Sequence, residues 1–98
     1  MKIYGALVHA WPLAGNPYHG KATGTCSIQY YALAEDTQMF ADRLKQFLVL
    51  ERWKLDKIEN PGVMSRELLL ASGKQHIVES LDSHGDAAMI HWSPFSDN

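Results

Sequence analysis

The sequence has little cysteine, no cluster of basic charge and no long apolar run, and each shortage excludes a class of protein. Its 98 residues include a single cysteine, Cys26, so a disulfide within the chain is impossible. Nine Lys and Arg stand against eleven Asp and Glu, and the basic residues are scattered, so nothing indicates nucleic-acid binding. The longest apolar run is too short for a bilayer, and the N-terminus does not read as a signal peptide. These features predict a cytoplasmic protein that binds neither nucleic acid nor membranes.

The composition of the chain is that of an ordinary globular protein. Hydrophobic residues make up 46% of the sequence and charged residues 20%, which is typical of a folded domain. A chain of this length can bury a sizeable core without disulfide or metal. We therefore expect residues 1–98 to form a single domain.

Hydrophobic periodicity predicts four strands, two principal helices and one short helical turn. Alternating segments rich in Tyr and Ile favour strands, and the stripe from Phe40 to Leu48, after the potential N-cap Asp36, favours a helix. The expected elements are strands 2–11 and 25–34, helix 37–51, strand 53–59, a helical turn at 65–70, a helix ending at Gly85, strand 87–92 and a frayed tail, 94–98. Asn60-Pro61-Gly62 is expected to break the chain after the third strand.

The order β-β-α-β-α-β predicts an α+β fold, a two-layer sandwich. Two right-handed β-α-β crossovers would place both helices on one face of a four-stranded mixed sheet. The other face would then carry large side chains, such as Trp53, His91 and Trp92, together with Tyr30 or Tyr31. Such a face needs cover, which we expect from the long loop over 12–24 or from a second subunit.

The loop over 12–24 contains two prolines and three glycines, and part of it matches a phosphate-loop pattern. Residues 15–21 follow G-x-x-x-x-G-K, but Ala22 stands where the pattern requires a hydroxyl. A strand, and not a helix, is also predicted to follow. We therefore favour an ordinary surface loop over a phosphate site.

Histidines are the main candidates for chemistry. His9 and His91 lie near strand ends, each followed closely by a tryptophan, Trp11 or Trp92. If the first and last strands are neighbours, these side chains would share a pocket with His19 from the loop. The competing interpretation, which we favour, makes His9 and His91 partly buried core residues. No spacing typical of a metal or cofactor site occurs, so neither is predicted. A metal-binding domain, the third possibility, would need His9, His19 and His91 to converge.

The carboxylates and the cysteine offer less. Asp56, Glu59 and Glu67 are expected to be solvated, because none stands alone in an apolar stretch. Cys26 lies within an apolar strand, which predicts a buried structural thiol.

An apparent surplus of aromatic residues leads to the first functional hypothesis. Trp and Tyr are the usual anchors of protein interfaces, and Trp11, Tyr18 and Trp92 are the candidates here. The sequence therefore predicts a non-enzymatic interaction or regulatory module. It would bind another protein or itself as a homodimer, through the open sheet face and the loop over 12–24.

The alternative hypothesis is a small enzyme or small-ligand-binding protein. Its pocket would lie between the sheet and the loop over 12–24. His9, His19 or His91 would act as general base or orient the ligand, and tryptophans would form apolar walls. The residues that line one site or the other are His9, Trp11, Tyr18, His19, His91 and Trp92.

Overall fold

The computed structural model describes residues 1–94, which form a four-stranded sheet and three helices. The elements are β1 (Lys2–Pro12), β2 (Cys26–Ala34), α1 (Thr37–Leu50), β3 (Trp53–Met64), α2 (Arg66–Ala71), α3 (Gln75–His84) and β4 (Asp86–His91). The strand order is β3-β1-β2-β4, and all neighbouring strands are antiparallel. The predicted α+β class with a four-stranded sheet is confirmed, whereas the predicted mixed sheet is wrong. Of the tail predicted to fray, Pro94 forms an isolated bridge with Ala22, and 95–98 lie outside the described residues.

The sheet is antiparallel because the first hairpin inserts β1 between the two strands that α1 connects. β2 and β3 both pair antiparallel with β1, so they run parallel to each other without being neighbours. The connection through α2 and α3 then crosses from the β3 edge to the β4 edge, where the chain pairs antiparallel with β2. No two neighbouring strands among these four run in the same direction.

Helices cover both faces of the sheet, so the prediction of two helices on one face is wrong. Alternate residues of β1 and β2 belong to separate cores: Tyr4 and Tyr30 pack with α1, whereas Ile3 and Tyr31 pack with α2 and α3. We call these the α1 face and the α3 face. β1 is apolar at both alternating positions, and a strand of that kind needs cover on both sides.

Helix α1 forms where the sequence predicts it and packs through aromatic contacts. The Asp36 carboxylate accepts a hydrogen bond of 2.8 Å from the backbone N–H of Met39, which caps the first turn. Phe40 stacks on Tyr4 with ring centroids 5.6 Å apart. The ring centroids of Tyr30 and Phe47 lie 4.9 Å apart, so the centre of the core is aromatic.

The helices α2 and α3 form a unit on the other face. The Ser65 hydroxyl accepts a hydrogen bond from Leu68 N–H and caps α2. Arg66 and Asp82 join α2 to α3 by two hydrogen bonds of 2.9 and 3.0 Å. Gly85 ends α3 in the left-handed conformation, with φ 82°, which glycine adopts without steric cost.

Strand β3 does not end at Asn60-Pro61-Gly62 as expected. It continues to Met64 through an irregularity, and a second irregularity lies at Asp56, where the pairing with β1 shifts. Asn60 adopts a positive φ of 51°, as asparagine tolerates. Because β3 is an edge strand, Pro61 is tolerated there without an N–H to donate.

Candidate functional site

The α3 face is covered at one end only. Helices α2 and α3 pack over Ile3, Tyr31 and Leu33, and the opposite end of the sheet is left half-exposed. We call this region the open half of the α3 face. By the register of the strands it is lined by Leu7, His9, Trp11, Ser27, Gln29, Lys54, Lys57, Glu59 and His91. Most of these side chains are polar, and those that can carry a charge are lysines and histidines except for Glu59.

His9 is the centre of a hydrogen-bonded chain on this face. Its Nε2 lies 2.8 Å from Oε2 of Glu59, and a carboxylate can only accept, so Nε2 carries the proton. In the neutral imidazole Nδ1 is then bare and accepts from the Ser27 hydroxyl over a long 3.4 Å. The carboxylate thereby fixes both the tautomer and the orientation of the ring.

Glu59 is the residue of this cluster that sequence reasoning missed. Hydrogen bonds from His9 and from Lys57, whose Nζ lies 3.3 Å away, hold the pKa of the Glu59 carboxyl below its ordinary value. Glu59 therefore stays ionised to a lower pH than an ordinary glutamate. Only the register between β1 and β3 reveals the pair, because the two residues are 50 positions apart.

The Ser27–His9–Glu59 chain lacks the surroundings that acyl transfer requires. Ser27 lies within β2, a central strand whose backbone pairs with β1 on one side and β4 on the other. Its neighbouring N–H groups are used in the sheet and are not available to stabilise an oxyanion. These three side chains form a polar cluster in which hydrogen bonds hold the His9 ring between Ser27 and Glu59.

The structure brings together three of the six residues predicted to line a site. His91 pairs with Ser27 in register, so His9 and His91 lie in one row on either side of that serine. Trp11 lies on the same face as His9, two residues along β1, and is 45% exposed. His9 is partly buried, as the favoured interpretation predicted, whereas His91 is exposed.

The other three predicted residues lie elsewhere. The ring of Tyr18 lies 5.8 Å from Trp53 and 5.3 Å from Trp92, and it packs against the core of the α1 face. His19 follows it on the exposed surface of the loop. The loop therefore packs at the α1 face and does not join His19 to His9 and His91.

The loop is held by Asn16, which sequence reasoning did not single out. Its amide donates to the carbonyl of Glu51 at 2.7 Å, and its side-chain oxygen accepts from Tyr18 N–H at 2.8 Å. Asn16 is buried, so both bonds satisfy groups that water does not reach. Strand β2, and not a helix, follows the loop, as the interpretation against a phosphate site requires.

Three further sequence predictions concern the cysteine, metal sites and membrane spans. Cys26 is buried as predicted, and burial raises the pKa of its thiol. Within residues 1–94, no group of three or more His, Cys, Asp or Glu is placed to hold a metal ion. No helix in that same range combines the length and apolarity needed to cross a bilayer.

A second surface, at the free edge of β3, was also missed by sequence reasoning. Leu55 and Ile58 lie on the α1 face of this edge strand and are 44% and 42% exposed. A groove of about 340 Å³ separates Ile58 from α1 and is floored by Tyr4, with Phe40 along its wall. Among residues 1–94 no strand pairs with the outer side of β3, so this edge combines exposed apolar side chains with unpaired backbone groups.

The chain matches no protein-family model, no curated protein and no solved structure.

Proposed function

We propose that the protein is a non-enzymatic interaction module that self-associates through the edge strand β3. The observation that carries this proposal is the self-complementary pattern of residues 54–59, Lys-Leu-Asp-Lys-Ile-Glu. When this segment runs antiparallel to a second copy, each charge faces its opposite. The three distinct facing pairs are Lys54 with Glu59, Leu55 with Ile58 and Asp56 with Lys57.

The irregularity at Asp56 makes the two copies match on each face. Leu55 pairs with Ala10 and Ile58 pairs with Val8, so both lie on the α1 face although they are three residues apart. Lys54 and Glu59 lie together on the α3 face. The extra residue therefore places apolar beside apolar and charge beside opposite charge.

A twofold axis perpendicular to the sheet, between Asp56 and Lys57, would join two sheets edge to edge. The α1 faces of both copies would then lie on the same side, with their apolar grooves flanking the junction. Unpaired backbone groups along β3 would gain partners, and Leu55 and Ile58 would lose part of their exposure. Pro61 limits the pairing to the segment before it.

Charge reversal tests this geometry. K57E places two carboxylates opposite each other at the axis, and D56K places two ammonium groups there, so each single variant should weaken association. Two symmetry-related contacts change from attraction to repulsion, which predicts a dissociation constant raised roughly tenfold. Sedimentation equilibrium over a range of protein concentrations measures this change.

The double variant D56K/K57E is the decisive control, because it restores opposite charges across the axis with the positions exchanged. It should associate nearly as well as the natural sequence. K45E makes the same charge change on the exposed side of α1 and should leave association unaltered. Association that K57E does not weaken, or that the double variant does not rescue, would place the interface elsewhere.

A further inference from the structure

A pocket of about 250 Å³ lies on the α3 face where the open half meets α3. Gly5 and Leu7 of β1 and Gln29 of β2 form its floor, and β3 and the α2–α3 junction provide its walls. It is lined by Gly5, Ala6, Leu7, Gln29, Tyr31, Asn60, Met64 and Lys74. It is smaller than the sites that hold drug-sized molecules, which start at roughly 300 Å³, so a compact ligand is indicated.

Three polar side chains converge in this pocket. Lys74 Nζ donates to the Tyr31 hydroxyl at 3.3 Å, and that hydroxyl donates to Gln29 Oε1 at 3.3 Å. Because Tyr31 occupies the carbonyl oxygen of Gln29, the amide of Gln29 is left as a donor. The ammonium of Lys74 likewise has further N–H groups to donate. The pocket therefore offers donors in excess of acceptors.

The charge at Lys74 is not balanced by a neighbouring carboxylate. Within residues 1–94, the ammonium of Lys74 forms no ion pair. The carboxylate of Glu59, on strand β3, already pairs with His9 and Lys57. Lys74 is also the N-cap of α3 and makes no side-chain capping bond. The positive charge of Lys74 is unfavourable at the N-terminus of α3, which is the positive end of the helix dipole. An anion beside Lys74 would be stabilised both by the ammonium and by the dipole.

We infer that this pocket binds a small organic monocarboxylate. One ammonium group matches one negative charge, and the amide N–H groups of Gln29 suit the carboxylate oxygens. The side chains of Leu7 and Met64 and the ring of Tyr31 provide apolar contacts for the body of the ligand. This site does not depend on association through β3.

Titration with benzoate, followed by ¹H–¹⁵N NMR at constant ionic strength, tests the inference. Saturable shifts are expected at the amides of Gly5, Leu7, Gln29 and Asn60. K74Q should weaken benzoate binding at least tenfold, while K45Q, which removes an exposed charge from α1, should leave it unchanged. The same spectra report whether K74Q is folded, as its half-exposed position leads us to expect.

Two further probes identify what the pocket recognises. Acetate should bind more weakly than benzoate because it lacks an apolar body, and inorganic phosphate should bind more weakly because one cation faces two charges. The inference is overturned if benzoate gives no saturable shift, if the shifts fall outside the pocket, or if K74Q binds as tightly as the natural sequence. Tighter binding of phosphate than of benzoate would also overturn the assignment to a carboxylate.

Discussion

Two adjacent tyrosines, Tyr30 and Tyr31, serve the two cores of this protein from one strand. Tyr30 is fully buried on the α1 face and its hydroxyl donates to Asp86 at 3.0 Å. Burial, and then the charge of Asp86, raises the pKa of Tyr30, so it remains a neutral donor. Tyr31 lies on the other face, across Gly5, its partner in the sheet. Each ring packs over the neighbouring strand β1, so the β1 residue beneath it must be small enough to leave room for the ring.

Gly5 leaves that space, and its replacement provides a test. A Cβ there would lie 2.9 Å from the ring of Tyr31 and 3.0 Å from Met64 Cγ. G5A should therefore reduce the free energy of unfolding by about 1–3 kcal/mol, measured by urea denaturation. Gly62, paired with Gly5, has open space at the same position, so G62A should change stability by only about 0.5 kcal/mol. Equal effects of the two variants would refute the packing of Tyr31 over Gly5.

At the scale of elements, α1 depends on a single capping side chain. Asp36 Oδ1 accepts the 2.8 Å hydrogen bond from Met39 N–H, and the first turn contains no acidic residue. D36A should reduce the free energy of unfolding by about 1 kcal/mol because it leaves that N–H without its acceptor. D36N should be nearly neutral, since asparagine caps as well as aspartate. A thermal or urea unfolding series of the three proteins checks this, and a neutral D36A would show that water replaces the cap.

The strand β3 illustrates how an element can be held on one side only. It pairs with β1 along its length except at the two irregularities, yet most of its side chains are exposed because it is the edge of the sheet. Natural edge strands are blunted by charges, bulges and proline, and β3 has all three. Its charges are arranged so that a second copy of the strand meets them with opposite sign. The proposed association rests on that arrangement.

At the scale of the whole molecule, two carboxylates join separate elements, and acid should loosen both contacts. Glu59 joins β3 to β1 through His9, and Asp82 joins α3 to α2 through Arg66. Hydrogen bonds from His9 and from Arg66, respectively, hold the pKa of each carboxyl below its ordinary value of 4.5 or 3.8. Their stabilisation is therefore present above those values and is lost as pH falls through the lower folded ones.

A comparison with the double variant E59Q/D82N measures this contribution. From about pH 7 to about pH 3, the natural sequence should lose more stability than the variant, and the two should converge in acid. Urea denaturation at a protein concentration that keeps the chain monomeric separates this effect from association. Parallel curves for the two proteins would show that neither carboxylate contributes.

The candidate sites depend on strand register, which the sequence does not reveal by local pattern. His9, Trp11 and His91 were identified as candidates, and the structure places them on one face. Glu59 was interpreted as solvated and Lys74 was not considered, because their partners lie 50 and 43 positions away along the chain. Contacts between residues so far apart in the sequence depend on how whole strands pair, and many weak interactions together decide that pairing.

Helix α1 and strands β1 and β2 are specified locally, since they follow from hydrophobic period, turn residues and the cap at Asp36. The tertiary structure decided the strand order, the placement of helices on both faces and the extension of β3 past Pro61. The physical reason is that local periodicity shows how many faces of an element are apolar, but not which neighbour buries each face. That choice is made by packing between residues distant in sequence, and both proposed binding surfaces result from it.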